Sequence, residues 1–329
     1  MPGAPDPVAA FAPLRAELIG LAYRMTGSWA TAEDIAQEVF LRWHGTDRAQ
    51  VEVPRAWLLK ATARLSLDHL KSARHRREAY VGPWLPEPVL DDAEAPQQAA
   101  REHADDLSVA FLLTLQRLSP AERAVFILHD LFETPFAELA GLLGRAEPAV
   151  RKLASRARAR LQEEGRNQPV GDAEARRIAG AFLAASRNGD EAALRDLLAQ
   201  DVVLHSDGGG IRQAALNPIH GADKVGRLYA SLARKRGLPP SPVLHLGRIN
   251  RLPGYVTLEP DGLPQTVALE IRDGRIATIY VVRNPEKLAA VQARLGKDRG
   301  GKGVPAPGPA LPFRGPAAAA RRLPAPGNR

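Results

Sequence analysis

Apolar residues recur at two different periods along this chain, and the switch between them limits what it can fold into. Up to about residue 163 the period is helical. Ala32, Ile35, Ala36, Val39, Phe40 and Trp43 fall at i, i+3, i+4, i+7, i+8 and i+11, one face of a helix. A helix over roughly 11–28 precedes it, with Leu14, Leu18, Leu21, Ala22 and Met25 on one side. Thr31 is the expected N-cap of the second helix, and Pro54 suits the first turn of a third that carries Trp57, Leu58, Ala61 and Leu65. After residue 170 the pattern changes. Helices over about 173–188 and 190–199 lead into the strand-like DVVLHSD, and a helix over 221–235 follows. Then come PVLHLGRIN, GYVTLEP with its Asp261-Gly262 turn, and a pair of strands split by Asp273-Gly274. Asp-Gly between apolar alternations predicts hairpins, and helices followed by antiparallel strands predict an α+β domain.

A break divides the helical part. Residues 78–106 hold eight acids against one base, Arg101, and prolines 83, 86, 88 and 96 forbid a continuous helix. This is an acidic linker with some extended structure. Helices resume near 105. Ser119-Pro120-Ala121-Glu122 has the form of a capping box, a helix starts at Thr134-Pro135 and stops at Gly144, and a basic helix runs from about 148 to 163. Helix, tight turn and basic helix form a helix-turn-helix pattern.

The 329 residues suggest roughly two domains at ~150 residues each. The net charge of +8 invites a nucleic-acid or anionic-surface reading. Its distribution is uneven: 1–165 is −3, 166–295 is +5 and 296–329 is +6. The last segment, rich in Gly, Pro and Ala, cannot bury a core and is expected to be disordered. The lack of cysteine excludes disulfides, zinc ribbons and thiol nucleophiles. No apolar run approaches the ~18 residues that span a membrane, and MPGAPDPVAA lacks the form of a secretory signal, so a cytoplasmic protein is expected.

Three helix faces carry function. Over 145–160 there are six bases and one acid, Glu147. Arg151, Lys152, Ser155, Arg156, Arg158 and Arg160 lie off a buried stripe of Val150, Leu153, Ala154, Ala157 and Leu161. Bases at the head of such a helix reach base edges in the major groove, and those beyond neutralise phosphates. Residues 55–77 hold seven bases against Asp68. There Lys60, Arg64, Lys71 and Arg74 share a face, Arg55 precedes them, and Trp57 sits near the start, an arrangement suited to single-stranded DNA. Trp57 fits a core position equally well. On the helix 31–43, Asp34, Gln37, Glu38 and Leu41 lie opposite the apolar face, a polar-acidic surface with an exposed Leu that suits protein docking.

These residues together carry a resemblance. Tyr23-Arg24-Met25-Thr26-Gly27-Ser28 with AEDIAQEVFLRW at 32–43 resembles region two of a bacterial sigma factor, and residues 118–161 resemble region four. Their order and separation are similar to the two-domain extracytoplasmic-function class. WLPEP at 84–88, Asp207-Gly208-Gly209-Gly210 and NPEKL at 284–288 resemble the subgroup with a SnoaL-like C-terminal extension. The resemblance spans about residues 10–290. It implies a multidomain fold: region two over 8–77, an acidic linker over 78–104, a region-four helix-turn-helix over 105–165 and an α+β SnoaL-like cone-shaped barrel over 170–293, with the basic tail at 296–329.

By the same resemblance, Asp34, Gln37, Glu38 and Leu41 contact the β′ clamp helices of core RNA polymerase, the β subunit being a further partner. Arg55, Trp57, Lys60, Arg64 and Lys71 act at the −10 element, and Arg151, Lys152, Ser155 and Arg156 at the −35 element. The acidic linker mimics RNA phosphates in a basic channel. Trp84, Leu85, Pro86, Glu87 and Pro88 meet Asp207, Gly208, Gly209 and Gly210 with Asn284, Pro285, Glu286, Lys287 and Leu288 in a regulatory contact within the chain. No catalytic residue, metal, cofactor or membrane is implied, and a small ligand of the C-terminal pocket is left open. Two departures stand out. Ile211 replaces the Lys of the family's DGGGK, with Arg212 next to it as a substitute, and NPEKL replaces NPDKL. Related cone-shaped barrels include cyclases and isomerases, for which Asp201, His205, Asp207 and His220 are the available acid–base residues; their spacing defines no pair. A helix-turn-helix regulator with a ligand-sensing domain is the second reading, and it leaves the 31–43 face without a partner.

Overall fold

The structure is a computed structural model that describes residues 7–78, 80–91, 108–162, 171–236 and 241–298. The helix start expected near 105, linker residues 92–107 and tail residues 299–329 lie outside them.

The first four helices are α1 (Pro7–Phe11), α2 (Arg15–Thr26), α3 (Trp29–Gly45) and α4 (Pro54–Glu78). Gly27 ends α2 in a left-handed conformation (φ 72°). Ser28, three residues before the expected cap, caps α3: its side chain accepts from the Thr31 amide at 3.1 Å. Then follow α5 (Val109–Gln116), α6 (Pro120–Phe126), a π-helical turn at Ile127–Leu131, α7 (Phe136–Leu143) and α8 (Glu147–Gln162). The expected capping box at Ser119 and Glu122 is present, and Gly144 closes α7.

The two helical modules do not stand apart. One buried cluster runs from Leu18, Ile35, Val39 and Trp43 through Leu58 and Leu112 to Val125, Leu139, Val150 and Leu153. Arg123, almost fully buried, bolts them together. It donates to the Leu115 carbonyl at 2.8 Å and the Met25 carbonyl at 2.5 Å. A buried guanidinium is tolerable only when its donors find such acceptors.

The C-terminal domain opens with α9 (Asp172–Asn188) and α10 (Glu191–Leu197), and α11 (Ala222–Arg236) crosses between strands. Its sheet comprises β1 (Leu198–Asp207), β2 (Ile219–His220), β3 (Val243–Ile249), β4 (Leu252–Leu258), β5 (Pro264–Arg272) and β6 (Arg275–Val282), in the order β2-β1-β6-β5-β4-β3. Among the described strands, only the β1–β6 pair is parallel. Three pairs carry register shifts, points at which a sheet can bend. The strand period of two sorts the side chains. Val267, Leu269 and Ile279 join Phe182, Leu194 and Tyr229 in the core under the helices. Ala268, Tyr280 and Val282 face the other way, into a second core closed by Leu85 and Leu90 of the linker, Val109 of α5, and Leu288, Val291 and Leu295. The last two sit on α12 (Ala289–Asp298), which carries helix past residue 296, where the tail was expected to begin, because they pack on the sheet.

Asp273 and Gly274 take φ of 53° and 71°, the left-handed pair expected of an Asp-Gly hairpin turn. A second left-handed pair lies at the break between PVLHLGRIN and GYVTLEP. Asn250 (φ 48°) and Arg251 (φ 66°) join β3 to β4 without a glycine.

Candidate functional site

The linker lies between the two halves of the molecule, and three separated motifs meet on it. Asp207, at the end of β1, is completely buried. Its Oδ2 accepts from the Leu85 amide at 2.8 Å and from Lys287 Nζ at 2.7 Å. Its Oδ1 accepts from the Tyr80 hydroxyl at 2.5 Å and the Gly209 amide at 3.0 Å. Lys287 also donates to the Leu85 carbonyl at 2.6 Å, and its ammonium stands 3.8 Å from the centre of the Trp84 ring and 4.8 Å from that of Tyr80. An ammonium out of water thus has a carboxylate, a carbonyl and two aromatic faces. Asn284 caps the 3₁₀ turn Pro285–Leu288 and donates to the Tyr80 hydroxyl at 3.0 Å. A Cβ on Gly209, itself left-handed, would overlap the Asn284 amide. Burial, with the Asp207 carboxylate beside it, pushes the Tyr80 phenol well above its usual range.

The Arg212 guanidinium is not among the partners of Asp207. It reaches Asp261 at 2.8 Å and the carbonyls of Pro264 and Arg283 at 2.8 and 3.2 Å, all within its own domain. Lys287 supplies the charge at Asp207, so Ile211 leaves that carboxylate paired.

A second cluster ties the linker to the helical half. The Tyr23 hydroxyl donates to the Glu87 carbonyl at 2.6 Å and accepts from Asn250 Nδ2 at 2.7 Å. Asn250 Oδ1 accepts from the Val89 amide at 3.0 Å, and the Asn250 amide donates to the Val89 carbonyl at 2.8 Å. Leu90 bridges Ile249, and the Asp91 side chain accepts from the Arg251 amide at 2.7 Å. The β3–β4 turn is therefore a clasp, with Asn250 its key residue. Burial drives the Tyr23 phenol far up and the Asp91 carboxyl upward. Glu87 completes the cap of α3: its carboxylate accepts from Ser28 Oγ at 2.7 Å and from the amides of Trp29 and Ala30 at 2.8 and 3.1 Å. A negative charge there also suits the helix dipole. Pro86 and Pro88 are buried on either side of it.

Past that capped end, α3 presents its polar face. Asp34 and Gln37 are exposed, Glu38 pairs with Arg42 at 2.9 Å, and Leu41 is 59% exposed. On α4, Lys60 and Arg64 are exposed, Lys71 pairs with Asp68 at 3.1 Å, and Arg55 pairs with Glu17 of α2. Trp57 is half-buried with its ring 5.3 Å from that of Trp43, so packing takes much of its face. On α8, Lys152 and Ser155 are exposed, while Arg151 pairs with Glu147 at 2.5 Å and lies 4.6 Å from the Phe136 ring. Arg156 is 3.2 Å and Arg160 2.8 Å from Glu122, which is nearly fully buried. Burial opposes the charge on Glu122, but the Ser119 hydrogen bonds and these two arginines outweigh it and hold the carboxyl below its ordinary value. Arg156 therefore fastens α8 to α6 with part of its guanidinium.

The four acid–base candidates do not gather at one site; of them, His205 and His220 lie near each other. Asp201 pairs with Arg272 at 2.7 Å on the surface, Asp207 is taken up by the linker, and His220 is exposed on β2. His205 stacks on Tyr280 at 5.7 Å, and burial, with His220 nearby, lowers its pKa. None of the four lines the domain's cavity of about 370 Å³. Among the described residues, no helix is long and apolar enough to cross a membrane.

Comparison with known proteins agrees with this geometry. Residues 10–76 match the Sigma-70 region 2 model and residues 108–161 the Sigma-70, region 4 model. The chain is 39% identical over 293 residues to the ECF RNA polymerase sigma factor SigJ of Mycobacterium tuberculosis, covering 85% of this chain and 92% of that one. It is 34% identical to the probable ECF sigma factor SigI of the same species, covering 88% and 98%. The crystal structure of SigJ superposes with a TM-score of 0.69 at 36% identity, covering 85% of this chain and 98% of SigJ. Two sigma-70 modules joined to a mixed α/β domain define the class, and this chain belongs to the extracytoplasmic-function family of RNA polymerase sigma factors. It is an alternative sigma factor directing transcription initiation.

Proposed function

We propose that this sigma factor docks on the β′ clamp helices of core polymerase through Asp34, Gln37, Glu38 and Leu41, with the β subunit a further contact. It reads −35 DNA with Arg151, Lys152, Ser155 and Arg156, and −10 DNA with Arg55, Lys60, Arg64, Lys71 and the open edge of Trp57. It acts in the cytoplasm and catalyses no reaction. Its C-terminal domain restrains it in cis by holding linker residues 80–91. The observation that carries this reading is the convergence of Trp84–Pro88, Asp207–Gly210 and Asn284–Leu288 on Asp207 and Lys287.

Lengths support the restraint. Elements named for positions 25 base pairs apart lie roughly 85 Å apart on duplex DNA at ~3.4 Å per base pair. Even the 25-residue α4 is only about 38 Å long at ~1.5 Å per residue. Arg55 and Lys60 share a groove with α7, next to α8. Helices packed this closely cannot engage both elements, so initiation requires the shared core to part and the linker to extend.

The test is transcription by purified core polymerase from a cognate promoter. Arg151→Ala should weaken −35-dependent initiation roughly fivefold or more, since a base contact is worth ~1–3 kcal/mol. Unchanged promoter selectivity would remove that assignment. Tight promoter binding without polymerase, and no transcription with it, would favour a stand-alone regulator.

A further inference from the structure

The cavity in the C-terminal domain opens where α9 and α11 end over β4 and β5, on the face of the sheet opposite the linker. Its walls are partly apolar: Leu183, Leu232 and the rings of Tyr229 and Tyr255. Tyr229 is held edge-on by Phe182 at 5.1 Å. Its polar groups are unusual. Arg187 Nε and Ser241 Oγ are both buried and have no hydrogen-bond partner among the described residues. Buried donors without acceptors cost free energy that a ligand's acceptors recover. The lining residues include two arginines, Arg187 and Arg234, and no acid. A guanidinium keeps its charge at any working pH, and a carboxylate matches its donors best. At about 370 Å³ the space is at the small end for organic ligands.

We infer that this cavity binds a small organic carboxylate, its acid group on Arg187 and Ser241 and its apolar body between Leu183, Tyr229 and Tyr255. Strand β4 connects this site to the linker. Tyr255 and Thr257 line the cavity, while Val256 between them packs in the core that holds Leu85 and Leu90, and β4 begins at the Asn250–Arg251 clasp. A bound acid thus bears on the strand that holds the linker. That consequence rests on the proposed restraint of initiation; the binding does not.

Isothermal titration calorimetry of the full chain tests the binding with benzoate, indole-3-acetate and hexanoate, each against its amide. At least one acid should bind tenfold or more tightly than its amide. Arg187→Met should abolish that preference, and Ser241→Ala, a milder change, should weaken it severalfold. No heat from any acid at millimolar concentration would overturn the inference, as would equal binding of acids and amides, or an unchanged preference in folded Arg187→Met and Ser241→Ala. Transcription with the acid that binds is read separately. Binding with unaltered initiation sinks the coupling and leaves the site standing.

Discussion

Lys287 and Asp207 form an ion pair that is sealed from solvent and shared by three segments of the chain. Such a pair is a weak stabiliser in itself, but removing one partner strands a buried charge at a cost of ~3–5 kcal/mol. Lys287→Met should therefore lower unfolding stability by about that much, measured by denaturant titration, and adding Asp207→Asn should recover a large part of it. Equal stability of Lys287→Met and wild type would mean that the pair is open to water. Glu122 makes a pH-dependent contribution. Its folded carboxyl titrates below the ordinary 4.5, so its stabilisation is complete above that value and is lost as pH falls through the folded value. Glu122→Gln should be less stable than wild type near neutrality, and the gap should close on acidification below pH 4.5. A gap that persists or widens in acid would contradict the assignment of Arg156 and Arg160 to Glu122.

At the scale of elements, helices and Asp-Gly turns were readable because local chemistry sets them. The Ser119 capping box, Gly144 and the Asp273-Gly274 turn depend on residues a few positions apart. What was not readable depends on partners far along the chain. The cap of α3 is completed by Glu87, 59 residues from Ser28, and the clasp joins Asn250 to Tyr23 across 227 residues. The Asn250-Arg251 turn lacks the glycine that signals a hairpin, so PVLHLGRIN and GYVTLEP bracket it but nothing local marks it as a clasp. The linker motifs are legible only through a resemblance, and nothing in their spacing places Lys287 over Trp84. Gly27 lies where these scales meet. It ends α2 at φ 72°, and a Cβ there would come within 2.5 Å of Trp84 and 2.9 Å of Gln116 Nε2. Gly27→Ala should therefore loosen the linker, raising proteolytic cleavage between 80 and 91 severalfold. Unchanged protection would show that Trp84 is not seated there.

Across the whole molecule, the charge that first suggested DNA lies mostly outside the helical half, whose net charge is −3. Its basic faces are local, on α4 and α8, and both belong to a half closed over one core. The linker is held on one side by Tyr23 and Ser28 and on the other by Asp207, Lys287 and Asn250. We propose that this hold restrains initiation. Asn250→Gly probes that restraint, because glycine keeps the left-handed turn while deleting the side-chain contacts to Tyr23 and Val89. In run-off transcription with saturating core polymerase, Asn250→Gly should initiate severalfold more often than wild type while binding core with the same affinity. Initiation equal to or below wild type, with the protein folded and bound to core, would contradict it.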